Sequence, residues 1–227
     1  MSGTDITIEG PDGAFMAYRN GPVGAPGVVV IQEIFGVNPF VRAVVDRMAR
    51  LGYDAVAPDL FWRIEPGVNI TDQSDEEWKK AFDLYSKFDV AKGIHDIQTT
   101  IALLRRSSPK VGATGYCLGG LLAYLTACRT DVDASASYYG VGIDQMLGEA
   151  GGIRAPLLMH IAEEDGFVSK DAQAAIKSGL GPIAGVTIHS YPGMDHAFTR
   201  IGGAHYNDAA AKLANGRTAD FFKAHLG

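Results

Sequence analysis

The sequence predicts an α/β fold with a mostly parallel central sheet, and three observations predict it. Strand-like and helix-like segments alternate from the first residues to the last. That order implies right-handed crossovers between strands lying side by side. Several strand segments are unbroken apolar runs, Val28–Gln32 above all, which suits strands covered on both faces better than half-exposed ones. The 227 residues suffice for one large domain with a full hydrophobic core, and no internal repeat, low-complexity tract or linker divides them.

The elements follow in order. Asp5–Glu9 and Phe15–Tyr18 read as a hairpin around the turn sequence Gly10-Pro11-Asp12-Gly13. The buried strand Val28–Gln32 comes next. Pro39–Leu51 has helical spacing through Val41, Val44, Val45, Met48 and Leu51 and stops at Gly52. Asp54–Ala57 is a strand ended by Pro58. The polar, aromatic-studded stretch from Asp59 to Phe88 is a cap-like insertion over a site rather than a second domain; it contains a helix reading DEEWKKAFDLYSKFD. Asp89–Arg106 is an amphipathic helix with Ile94, Ile97, Ile101 and Leu104 on one side. Strand Lys110–Thr114, helix Leu118–Cys128, strands Ala134–Tyr139 and Pro156–Ile161, helix Lys170–Gly179, strand Val186–Tyr191 and a helix from Asn207 to His225 complete the pattern.

Composition excludes several classes. A hydrophobic content of 47% and a charged content of 20% are ordinary for a soluble globular protein. No run approaches the roughly 18 apolar residues of a membrane span, and MSGTDITIEG lacks the basic-then-apolar order of a signal peptide. A net charge of −6, with no basic cluster longer than Arg105-Arg106, argues against nucleic acid. Cys117 and Cys128 fall on one predicted helix about 16 Å apart, too far for a bridge, which needs Cα atoms within about 7 Å. Two free thiols suit a cytoplasmic setting.

The chemistry concentrates at KVGATGYCLGGLLAY, residues 110–124. A β-branched run leads through Gly115-Tyr116-Cys117-Leu118-Gly119 into an apolar helix, the frame in which a sharp strand-to-helix turn presents a nucleophile. The residues two before and two after the tip come close together and must be small; here both are glycine. The Leu118 amide and the helix N-terminus point to where negative charge develops on an attacked carbonyl, and the same positive end favours a thiolate. Cys128, in mid-helix, has no such surroundings.

A nucleophile needs a base, and the base an orienting carboxylate. Asp165 follows the strand PLLMHIA in Glu163-Glu164-Asp165-Gly166, where the Asp-Gly pair suits a turn that projects the carboxylate. His196 follows the strand VTIHSY in PGMDHAF. His160 and His189 lie inside predicted strands as core or face residues, while His95, His205 and His225 are assigned to helices. Asp195 is adjacent to His196 in sequence, and adjacent side chains on a loop rarely face one another; Glu163 and Glu164 are nearer rivals, over which the Asp-Gly pair favours Asp165. Glu33 directly follows the first buried strand, whose C-terminal loop supplies the second oxyanion amide in folds of this kind, here Ile34 N–H. Glu33 then stands where it can take the thiol proton or hold the resting thiol by a hydrogen bond.

Five motifs in order carry a resemblance: Gln-Glu-Ile-Phe-Gly at 32–36, Gly-Tyr-Cys-Leu-Gly-Gly at 115–120, Tyr-Tyr-Gly at 138–140, Glu-Asp-Gly-Phe-Val at 164–168 and His-Ala-Phe-Thr-Arg at 196–200. Nearly end to end, the chain resembles the dienelactone hydrolases (carboxymethylenebutenolidases). The resemblance implies the α/β-hydrolase fold with helices on both faces of the sheet. It implies a Cys117–His196–Asp165 triad, Glu33 as the group that activates the thiol, and Arg200 as binder of a substrate carboxylate. It further implies hydrolysis of dienelactone, a carboxylate-bearing enol lactone, to maleylacetate in chlorocatechol degradation, with no metal or organic cofactor and only a small-molecule lactone or ester as partner.

One position departs from the family. Trp78 falls where members acting on dienelactone carry a second arginine, and losing a charge-assisted hydrogen bond costs about 1.5–3 kcal/mol, enough to shift substrate preference. A related cysteine esterase or lactonase with another activated substrate is the alternative, and a non-catalytic carboxylate-binding protein of the same fold is a third. Tyr85, Phe35, Tyr138 and Phe198 either line the pocket or pack the core, the default for buried aromatics.

Overall fold

A computed structural model describes residues 3–227; Met1 and Ser2, at the head of the segment read for a leader, lie outside the described residues. The chain forms two compact units, the first ending at Gly112 and the second running Ala113–Gly227.

The first unit opens with β1 (Thr4–Gly10) and β2 (Gly13–Asn20), an antiparallel hairpin in register from Thr4↔Arg19 to Gly10↔Gly13. Pro11 and Asp12 form the two-residue turn, and Gly13 takes φ +137°, a conformation open chiefly to glycine. Strand β3 (Gly27–Ile31) and β4 (Asp54–Pro58) are parallel, and β2 joins β4 antiparallel, giving the order β1-β2-β4-β3. Every residue of β3 and β4 is buried, as the unbroken apolar runs predict. Helix α1 (Pro39–Arg50) covers β2, β3 and β4 with Val41, Val44, Val45 and Met48. Its cap is Asn38, whose side chain accepts from Val41 N–H at 3.1 Å, with proline at the first helical position.

Residues 59–88 carry α2 (Asp75–Lys87), capped by Ser74 and acidic in its first turn, where carboxylates favour the helix dipole. Helix α3 (Val90–Arg105) packs on β1, β3 and β4. The sequence places its first helical residue at Asp89; the structure makes Asp89 the cap, its carboxylate accepting from Lys92 N–H, because a short acidic side chain satisfies the exposed N–H groups better from outside the helix.

The second unit holds β5 (Val111–Tyr116, beginning just before the boundary), α4 (Leu118–Arg129), β6 (Ala134–Tyr138), β7 (Leu157–Ala162), α5 (Lys170–Leu180), β8 (Val186–Tyr191) and α6 (Asp208–Leu226). The strands follow in the order β5-β6-β7-β8, with β6, β7 and β8 parallel. Strands β5, β6 and β7 are buried throughout. Two features escape the sequence pattern. A 3₁₀ segment, Ile143–Gly152, follows Gly142 at φ +87°; Ile143, Met146, Leu147 and Ala150 recur at helical spacing there, a short run to which the sequence reading gave no element. His205 lies in the turn before α6 rather than on a helix, since Asn207 caps that helix by accepting from Ala210 N–H.

Candidate active site

Strand β5 runs into α4 through one residue, Cys117, held at φ 57° and ψ −116°. A non-glycine residue in that region is strained, and such strain gathers at functional sites. The turn closes because its flanks lack side chains. A Cβ on Gly115 would lie 1.9 Å from the Gly119 carbonyl oxygen, and one on Gly120 would lie 2.4 Å from that of Tyr138. The Cys117 N–H donates to Tyr138 O at 3.1 Å, and its carbonyl accepts from Gly120 and Leu121. The thiol takes no part in capping and is only half-buried. Leu118 is the first helical residue, so its N–H has no partner within the helix.

Asp165, in the turn after β7, and His196, after β8, meet across the loops. Imidazole Nδ1 lies 3.0 and 2.9 Å from the two carboxylate oxygens, and both residues are buried. Phe167 N–H also donates to Asp165 Oδ1 at 2.9 Å, fixing the carboxylate from behind. With Nδ1 committed to Asp165, Nε2 remains for the Cys117 side chain, to which the ring is hydrogen-bonded. Burial pushes the imidazole pKa down. The negative charge on Cys117 and the hydrogen bonds with Asp165 and Cys117 outweigh that and raise it to about 10.

Two aromatic rings hold the imidazole edge-on, Tyr139 at 5.1 Å and Phe167 at 4.8 Å between centroids. Tyr139 is itself fixed by a 2.8 Å hydrogen bond to Thr199. Sequence reasoning did not single these two out, although both lie inside motifs it quoted, Tyr-Tyr-Gly and Glu-Asp-Gly-Phe-Val. The rival residues resolve differently. Asp195 turns its carboxylate onto backbone N–H groups of Gly166 and His196 and leaves the ring to Asp165. His160 is a core residue, bonded to Tyr191 and Thr218 hydroxyls, with burial foremost lowering its pKa well below the usual imidazole value. Tyr138 hydroxyl meets Thr218 at 2.5 Å and its ring stacks on Tyr116; Phe198 packs between Tyr139 and Tyr191. Arg200, four residues after His196, is buried.

The other candidates belong to the first unit. Glu33, Ile34 and Phe35 follow β3 and are buried. Trp78 on α2 stacks on Phe82 at 5.5 Å, meets Phe35 edge-on at 5.1 Å, and donates its indole N–H to Asp72 O. Tyr85 is exposed. Among the described residues no group of three or more His, Cys, Asp or Glu is arranged to hold a metal ion, and no helix is long and apolar enough to cross a membrane.

The "Dienelactone hydrolase family" model matches residues 13–226. A "Putative carboxymethylenebutenolidase" of Azospirillum brasilense is 50% identical over 230 residues, covering 99% of this chain and all of that one. The "Carboxymethylenebutenolidase" of Pseudomonas putida is 38% identical, covering 95% and 94%. The crystal structure of a putative dienelactone hydrolase from Klebsiella pneumoniae superposes with a TM-score of 0.83 at 25% identity, covering 97% and 98%. Matches that span practically the whole chain in both sequence and backbone leave one assignment: this chain belongs to the dienelactone hydrolase family, carboxylic-ester hydrolases built on the α/β-hydrolase fold.

Proposed function

We propose that the chain opens dienelactone-type enol lactones through a Cys117 acyl-enzyme, with His196 as acid and base and Asp165 as its orienting carboxylate. The observation that carries this reading is the imidazole held at Nδ1 by Asp165 and bonded to the Cys117 thiol at a strained strand-to-helix turn. The family membership supports the reaction class.

The proposed cycle starts from thiolate and imidazolium. Cys117 attacks the lactone carbonyl, and the amides of Leu118 and Ile34 take the oxyanion charge. From an ordinary alkyl ester the thiolate is the better leaving group and the intermediate falls back. An enol lactone expels a resonance-stabilised enolate, so collapse forward competes. The enolate takes a proton from the His196 imidazolium and becomes a ketone, which stops the ring from reclosing. Thioester formation has meanwhile removed the charge that raised the His196 pKa, and the neutral ring now activates water against the thioester. Before ionisation Glu33 holds the Cys117 thiol by a hydrogen bond, the thiol proton then passing to His196, and Arg200 serves as partner of the substrate carboxylate. Two free cysteines support a cytoplasmic setting.

The test is the ultraviolet absorbance of cis- and trans-dienelactone on addition of purified protein. Decay is expected with at least one isomer, and Cys117→Ala is expected to slow it about 10⁴-fold or more. Absence of decay with both isomers counts against the lactone, and an unaffected Cys117→Ala counts against the acyl-enzyme.

One observation favours a second reading. Trp78, stacked on Phe82 and edge-on to Phe35, supplies an aromatic surface where the family's second arginine would supply charge, which suits a related activated ester of more apolar character.

A further inference from the structure

The backbone ladder between the Asp165 and His196 loops runs out just before the two residues meet. Beyond the paired strands β7 and β8, Glu163 N–H donates to Tyr191 O at 3.2 Å and Glu164 N–H to Met194 O at 2.8 Å. No further backbone rung continues from there among the hydrogen bonds of the described residues. The chains must part at this point so that the Asp165 and His196 side chains can turn toward each other.

The next link is a side chain. Asp195 Oδ1 accepts from His196 N–H at 2.6 Å and from Gly166 N–H at 3.0 Å. One oxygen therefore joins the residue after the triad acid to the triad histidine itself. Its other oxygen lies 3.5 Å from His205 Nε2, and His205 Nδ1 lies 3.2 Å from the His196 carbonyl oxygen, so the turn before α6 braces the same loop. Burial opposes charge on Asp195, but the two N–H groups and the nearby histidines outweigh it and hold the carboxyl below its ordinary range. Ala197, next along, has φ +61°, a conformation that needs such support.

We infer that Asp195 is a positioning residue: its carboxylate clamps the acid turn to the base loop and thereby sets the Asp165–His196 geometry. This rests on the triad reading above. It is distinct from that reading because Asp195 holds the backbone N–H groups of His196 and Gly166 and not the His196 ring. The side chain is more than a third exposed, so it adds little by burial, and its two backbone hydrogen bonds are what its removal deletes.

Asp195→Ala and Asp195→Asn separate the possibilities. The asparagine keeps an Oδ1 acceptor for both N–H groups; alanine keeps none. With dienelactone or a p-nitrophenyl ester as substrate, Asp195→Ala is expected to lower kcat about ten- to a hundredfold, the scale of a misplaced catalytic group, with KM changed less than about threefold. NMR titration of the His196 imidazole in the substrate-free protein should move down from about 10 in the same variant. Asp195→Asn should stay within about threefold of wild type in kcat and keep the titration in place. Should the alanine variant fail to fold, Asp195→Ser, too short to bridge both N–H groups, is measured in its place against the same expectations. Unchanged kcat in the clamp-less variant overturns the inference, as does a lowered kcat with an unmoved His196 titration, or an asparagine variant as slow as alanine. The titration needs no substrate: a wild-type protein inert toward every ester but with a clamp-dependent His196 sinks the proposed reaction and leaves the positioning role standing.

Discussion

At the scale of single residues, the charge on His196 depends on its neighbours. Its imidazole is raised from 6.5 to about 10 against the effect of burial, with the Cys117 charge the foremost raising cause. A group whose folded pKa is raised stabilises the fold fully below its unfolded value, and that contribution is lost as pH climbs through the folded one. The His196 contribution is therefore complete below about pH 6.5 and disappears toward pH 10. Cys117→Ala deletes the foremost raising cause, so the His196 titration should fall and the loss of stability above about pH 6.5 should be smaller and end at lower pH. Imidazole NMR and thermal melts between pH 6 and 10 measure both; a titration unchanged in Cys117→Ala contradicts the ion pair. Asp195 also belongs to this scale. Its exclusion as triad acid followed from adjacency in sequence, but its bond to Gly166 required coordinates, because no sequence rule relates a side chain to an amide 29 positions away.

At the scale of elements, the strand-to-helix turn works because close packing is built around missing side chains. Gly115 approaches the Gly119 backbone, and Gly120 approaches the backbone of β6 and Gly140. Serines of β6 then bond the helix, Ser137 to Gly120 O at 2.8 Å and Ser135 to Ala123 O at 2.7 Å. Gly115→Ala places a methyl 1.9 Å from a carbonyl oxygen, where only backbone can yield. It should cost about 3 kcal/mol of stability and lower activity beyond that loss by displacing Cys117. Denaturant unfolding alongside turnover measures the two; a variant with wild-type melting and turnover disproves the packing argument. Two helix starts differed from the sequence pattern by one residue, at the capping side chains Asp89 and Asn207, because periodicity marks the buried face and says nothing of which residue satisfies the end.

At the scale of the molecule, substrate choice is the open variable. Replacing Trp78 by arginine is expected to raise kcat/KM for dienelactone relative to an aryl ester about tenfold or more, the equivalent of one charge-assisted hydrogen bond. An unchanged ratio means Trp78 is not the determinant.

The sequence by itself determined the alternating elements, the buried strands and the family, and it singled out Cys117, Asp165 and His196 as candidates. These were legible because apolar periodicity, glycine spacing at a sharp turn and the order of strand-end polar residues are local signals, repeated along the chain. Only the tertiary structure decided which carboxylate takes the imidazole, which aromatics hold it, that Tyr138 packs in the core, and that Asp195 bridges two loops. Each of those outcomes depends on groups distant in sequence and on the direction of a side chain. Such geometry is set by packing, and composition and spacing do not encode it one residue at a time.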